Sequence, residues 1–166
     1  MYLTPKTIAD EIRAKNACAG TIIGVDGFMG SGKTTLSFEL AELLAGIRVG
    51  IDCYVDTGVD ATTYVEKLRL INLARDLTKL CAVFPFVILE GICLRNVLER
   101  MQLEAGDMVY VKRLSKVGIW HDGLDLEECK FAVEVPTDWL RKNELTYHAS
   151  CYPHESADFI YQRVEA

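Results

Sequence analysis

The six cysteines of this chain include no C-x-x-C pair, so the spacing of a structural zinc site is missing. Its three histidines, His121, His148 and His154, have no ligand spacing either and read as structural or surface groups. No block of lysine or arginine occurs: 18 basic residues face 24 acidic ones, for a net charge of −6. That balance argues against a protein that grips a nucleic-acid backbone, which needs clustered cations. The opening MYLTPKTIADEIRAKN has no apolar signal core. The most apolar stretch, 81–94, is broken by Pro85 and Glu90 and is too short to cross a membrane. There is no repeat, low-complexity tract or linker, and 166 residues are expected to form one domain spanning the whole chain. Scattered thiols without a leader point to a reducing cytoplasm, with the cysteines acting as small buried hydrophobes.

What is present is an alternation of two patterns. Thr4 before Pro5 predicts a helix start, and Ile8, Ala9 and Ile12 form its apolar stripe as far as residue 17. Residues 21–25 are short, apolar and β-branched and predict a buried strand. Residues 34–45 predict a helix with Leu36, Leu40, Leu43 and Leu44 inward and Gly46 as its stop. A second strand follows at 48–52. Val65, Leu68, Ile71, Leu73 and Leu77 recur at helical spacing and predict one long helix over 61–80. Residues 86–89 are wholly apolar, as a central strand of a parallel sheet is. A helix at 94–103, a strand at 108–111, an irregular stretch at 115–125, helices at 126–132 and 138–149, and a strand at 159–164 complete the pattern. Alternating apolar strands and helices imply an α/β layer fold with right-handed crossovers.

Between the first strand and the second helix lies Gly27-Phe28-Met29-Gly30-Ser31-Gly32-Lys33-Thr34, a full match to G-x-x-x-x-G-K-[ST], followed by Thr35. Glycines let the backbone fold back with its amides inward, an anion nest, and the helix N-terminus adds partial positive charge there. Lys33 is expected to reach the β- and γ-phosphates of a nucleoside triphosphate, and the Thr34 hydroxyl to ligate Mg2+. No N-K-x-D guanine-reading motif occurs, so ATP is the expected donor.

Ligands of open parallel sheets bind beyond the carboxyl ends of the strands. Asp52 follows the second predicted strand, Glu90 the third, and Lys112, Arg113 and Lys116 the fourth. Phosphoryl transfer needs such a set: a carboxylate for the acceptor hydroxyl, another near magnesium, and cations for the moving oxygens. Each also has a plainer reading, Asp52 as a loop cap and the three cations as a solvated edge. Asp26 could brace Lys33 or the loop backbone. Trp120 and Trp139 read as packing groups. Tyr54, Tyr64, Phe28 and Arg95 are the candidates to line an acceptor pocket.

Four stretches together resemble the uridine kinase group of P-loop kinases, which includes phosphoribulokinase-like and bacterial pantothenate kinase-like proteins. These are IIGVDGFMGSGKTTL, IDCYVD, FVILEGI and YHASCYPHESADFIYQR, the last with Pro153, Ala157 and Asp158. The resemblance implies an α/β P-loop NTPase three-layer sandwich with a mostly parallel sheet of about five strands. It implies transfer of the ATP γ-phosphate to a hydroxyl of a small molecule, with a nucleoside-like acceptor favoured. It puts Asp52 at the acceptor-activating aspartate and Glu90 at the magnesium-site glutamate. The chain departs from the group after the fourth strand, where VKRLSKVGIWHDGLDLEECK lacks the repeated arginines that clamp the transferring phosphate. Arg113, or Arg141 from the next helix, is expected to serve instead; guanidinium suits phosphate better than an ammonium does. The alternative is a nucleotide-binding switch or interaction module with little or no kinase activity.

Overall fold

Thr4 caps the first helix: in the computed structural model, which describes residues 4–15, 18–130 and 138–165, its Oγ1 accepts the Thr7 amide at 3.1 Å. That helix is α1 (Pro5–Lys15). It is followed by β1 (Thr21–Asp26), α2 (Lys33–Leu43), β2 (Ile47–Gly50), α3 (Leu70–Cys81) and β3 (Phe86–Glu90). Then come α4 (Leu94–Met101), β4 (Asp107–Leu114), α5 (Gly123–Lys130), α6 (Trp139–Cys151), α7 (Pro153–Ser156) and β5 (Phe159–Val164). The parts of the expected helices at 16–17 and 131–132 lie outside the described residues.

The five strands form one sheet in the order β2-β3-β1-β4-β5, every pair parallel. The sheet has a core on each face because its central strands are apolar at every position while successive side chains alternate in direction. Ile22, Val87, Leu89 and Met108 pack with Leu73 and Leu77 of α3 and Val97 of α4. Ile23, Val25, Ile88 and Val109 pack on the other face with Ile8 and Ile12 of α1 and Leu36 and Leu40 of α2. This is the three-layer α/β sandwich of the P-loop NTPases. Gly24 lets the layers close, since a β-carbon there would stand 2.3 Å from the Met108 sulfur.

Several boundaries differ from the sequence reading. The long helix over 61–80 is only α3; residues before it form turns and a short 3₁₀ segment, Val65–Lys67. Val65 and Leu68 are buried as helical periodicity requires, but the backbone bonds elsewhere. The Asp56 amide donates to Lys67 O at 2.7 Å, the Arg69 amide to Tyr54 O at 2.9 Å, and Val55 bridges Leu68. The Glu66 carboxylate holds the Thr62 and Thr63 amides, each at 3.1 Å. Strand β2 ends at Gly50, and Asp52 lies in a 3₁₀ turn over Ile51–Tyr54. Strand β4 runs on through Lys112 and Arg113, which belong to the strand rather than follow it. At the end of α2 it is Ala45, with φ 51°, that takes the left-handed conformation instead of Gly46. Cys93 is the buried thiol expected, whereas Cys18 and Cys53 are exposed.

Candidate functional site

The glycine-rich loop leaves the carboxyl end of β1, the middle strand, and runs straight into α2. Gly27 and Gly32 have φ of 148° and 103°. A β-carbon on Gly27 would also meet Val111 O at 2.7 Å, so the turn requires glycine twice over. The N-terminus of α2 carries no side-chain cap. Its first amides therefore face the loop interior, where an anion is stabilised. Lys33 is 7% exposed, and its Nζ donates to Phe28 O at 2.8 Å across the loop. Burial lowers the Lys33 pKa, while Asp26, Glu144, Glu90 and Asp52 oppose that shift. The buried Ser31 Oγ has no hydrogen-bond partner among the described residues.

Glu90 is drawn to the loop by strand register, since Val25 pairs with Glu90 across β1 and β3. The Thr34 hydroxyl lies 3.3 Å from Glu90 Oε1, and Arg48 from β2 forms a short ion pair with the same oxygen. A hydroxyl and a carboxylate side by side are hard oxygen donors of the kind magnesium takes. No group of three His, Cys, Asp or Glu that could hold a metal occurs among the described residues. The pair thus fits an ion whose remaining ligands are phosphate oxygens and water. Asp52 is exposed beside it, its Oδ1 accepting from the Tyr64 hydroxyl at 2.6 Å. Burial, and then the Asp52 bond, raise the Tyr64 pKa, so its hydroxyl stays a donor.

The loop is held from above by α6, from which sequence reading brought only Arg141 toward the site. The buried Glu144 Oε1 accepts the Met29 amide at 2.5 Å, while its Oε2 has no hydrogen-bond partner among the described residues. One turn on, the Tyr147 hydroxyl makes a short bond to Asp26 Oδ2, and Asp26 Oδ1 takes the Gly27 amide at 2.7 Å. His148 stacks on Phe28, ring centres 3.6 Å apart, and burial pulls its pKa down to about 3, keeping it neutral. Asp26 thus braces the loop backbone. The long sequence separations of these contacts leave no local signal; turn chemistry such as the glycines' is absent from α6.

Desolvation raises the Asp26 pKa to about 6, against the opposing bonds from Tyr147 and Gly27. The folded state therefore keeps this proton to about pH 6, while the unfolded chain loses it near 4. Asp26 costs stability as pH rises between these values, and the full cost is present above them. We expect thermal melts of wild type to fall relative to Asp26→Asn by roughly 5 °C or more between pH 4 and 7.

Of the cations, Arg113 reaches the loop, its Nη1 3.8 Å from where a Gly30 β-carbon would be. Its Nε donates to Glu165 at 2.8 Å, and His121 meets the same carboxylate at 3.0 Å. Arg141 lies over the Phe28 ring, but its fork is bound to Asp122 at 2.9 Å and Asp125 at 2.7 Å. It is committed to the contact between α5 and α6. Lys116 is exposed on a turn, and Lys112 lies over Trp120.

A cleft of about 640 Å³ opens between residues 60–65 and α6, lined by Tyr64, Cys93, Asn96, Trp139, Thr146 and Tyr147 among others. Of the four expected pocket residues only Tyr64 lines it. Phe28 is wholly buried under α6, Tyr54 bonds Asp76 at 3.1 Å, and Arg95 bonds Ser156 O at 2.7 Å. Trp139, read as a packing group, is 39% exposed at the cleft.

Fold and loop together define the class: an α/β chain with the fold of the P-loop kinases. Two solved structures carry the likeness across nearly the whole chain. One is of a possible uridine kinase from Bacillus stearothermophilus, with 17% identity and a TM-score of 0.62 over 95% of this chain and 96% of that one. The other is of a provisionally assigned fructose transport system kinase from Silicibacter sp., with 13% identity and a TM-score of 0.58 over 99% and 100%. At these identities the likeness is one of fold. No protein-family model matches the chain, and no curated protein matches its sequence. No helix among the described residues is long and apolar enough to cross a membrane.

Proposed function

We propose that this protein is an ATP-dependent phosphotransferase that moves the γ-phosphate to a hydroxyl of a small molecule, with a nucleoside-like acceptor favoured. The observation that carries the reading is the convergence of Lys33, Thr34, Glu90 and Asp52 at the carboxyl ends of three adjacent strands. A cleft of about 640 Å³ is joined to them through Tyr64, which lines it and bonds Asp52. Amides of residues 27–35 and the Lys33 ammonium hold the donor phosphates. Thr34 and Glu90 would hold Mg2+, which supplies charge neutralisation at the phosphates when bound. Asp52 takes the acceptor proton, with Tyr64 fixing its orientation. Arg113 stabilises charge on the phosphoryl oxygens from the Gly30 side. Most side chains of the cleft are neutral, Asn96, Thr146 and Tyr64 among them, with Asp60 and Lys142 of opposite charge, and this lining suits an acceptor without net charge.

The ion pairs of Glu90 with Arg48 and Arg113 with Glu165 favour the second reading, a nucleotide-binding switch with little turnover, since both groups are already occupied. A screen of ATP consumption with magnesium against nucleosides, sugar alcohols and vitamins separates the two. Acceptor-dependent ADP release supports the kinase. Nucleotide binding with no product from any acceptor supports the switch.

A further inference from the structure

Glu90 already has a cation of the chain's own. Arg48 and Gly50 lie on β2, the edge strand, in register with Ile88 and Glu90 of β3. Residues two apart on a strand share a face, and here that face is the α2 side of the sheet. On it the Arg48 guanidinium lies over the Phe38 ring of α2, 4.7 Å from its centre. From there it passes Gly50 toward the carboxyl end of the strand. A β-carbon on Gly50 would stand 3.0 Å from Arg48 Nη2 and 3.3 Å from Glu90 Oε1, so the bare glycine leaves the path open. Nη2 ends in the short ion pair with Glu90 Oε1, the same oxygen that the Thr34 hydroxyl meets at 3.3 Å. The Glu90 side chain is 4% exposed and that of Arg48 23%, so water and salt screen the pair little.

We propose that Arg48 is a specificity-determining residue for the metal: its guanidinium neutralises Glu90 and turns away a free divalent ion, so that metal is admitted only together with nucleotide phosphates. A carboxylate already paired with a guanidinium offers a divalent ion little attraction. A second cation, Lys33, also acts on Glu90. Triphosphate reverses the balance, because it brings several negative charges to the loop and carries its ion on phosphate oxygens and water. The inference rests on the donor reading proposed above and adds the order in which that site accepts charge. The ion pair that favours the switch reading then has a use in the kinase as well: it ties metal entry to donor entry.

Isothermal titration tests it with two probes, MnCl2 alone and preformed manganese-ATP, since manganese takes the same oxygen ligands as magnesium. Wild type is expected to bind manganese-ATP, and MnCl2 alone at least about tenfold more weakly. Arg48→Gln removes the charge and is expected to bind MnCl2 alone at least about tenfold more tightly than wild type does. MnCl2 is then also expected to raise the melting temperature of Arg48→Gln and not that of wild type. Arg48→Lys keeps the charge and is expected to behave as wild type. An Arg48→Gln variant that binds MnCl2 no better than wild type overturns the inference and leaves the donor reading intact. So does a wild type that binds MnCl2 as tightly as manganese-ATP, a result that needs no variant to fold. Equal gains in Arg48→Gln and Arg48→Lys overturn it too, since a loosened strand end rather than a lost charge would then admit the metal. A wild type that binds neither probe overturns the donor reading and this inference with it.

Discussion

Lys33→Ala is expected to lower kcat for acceptor-dependent ADP release by about 10²–10³. The ammonium lies inside the loop, 7% exposed and bonded to Phe28 O. A cation so desolvated acts in a low-dielectric surround, where each charge interaction with a transferring phosphoryl group is strong. Asp26, Glu144, Glu90 and Asp52 all act on it electrostatically, so its removal also takes away the cation that acts most strongly on Asp26 and Glu144. Loss of the cation favours the protonated forms of these carboxylates, and magnesium-ATP binding is expected to weaken along with turnover. Steady-state kinetics alongside ATP titration check both; turnover within threefold of wild type sinks the assigned role.

Asp52→Asn separates binding from chemistry. Asparagine keeps the size of the side chain and an oxygen to accept from Tyr64, but it cannot take a proton. ATP affinity is expected to stay within about twofold, while kcat falls by about 10²–10⁴, the usual worth of a general base. Asp52 is exposed on a 3₁₀ turn, so the substitution disturbs no core and the loss can be read as chemistry. Full activity in this variant leaves Asp52 as the loop cap that the sequence also allowed.

The loop was legible because all its physics is local: glycine for positive φ, a strand before it and helix amides after it are written in consecutive residues. Most of both cores was legible for the same reason, as in Phe86 and Ile88 facing one layer while Val87 and Leu89 face the other, though Leu43, read as inward, and Ile71, read into the apolar pattern, are exposed. Residues 61–69 were misread because Val65 and Leu68 are spaced like a helix, yet the backbone beside them, Lys67 O and the Arg69 amide, bonds to Asp56 and Tyr54. Periodicity reports which side chains are buried and is blind to where the amides bond. The contacts of Glu144 with Met29 and of Arg163 with Ser31 join distant parts of the chain. Only the sheet order brings them together. Arg141 shows the converse error, since a suitable residue type near the right place is spent on Asp122 and Asp125.

Helix α6 touches two neighbours at once. Glu144, Tyr147 and His148 press on residues 26–29, while Trp139, Thr146 and Tyr147 wall the cleft. Tyr147 belongs to both sets. A helix that moved toward a ligand in the cleft would change its hold on the loop, so under the proposed function binding at the two places is linked. On that proposal linkage demands reciprocity: whatever factor a bound nucleotide applied to acceptor affinity, a bound acceptor would apply to nucleotide affinity. The order in which they arrive alters the route and leaves the ternary complex the same.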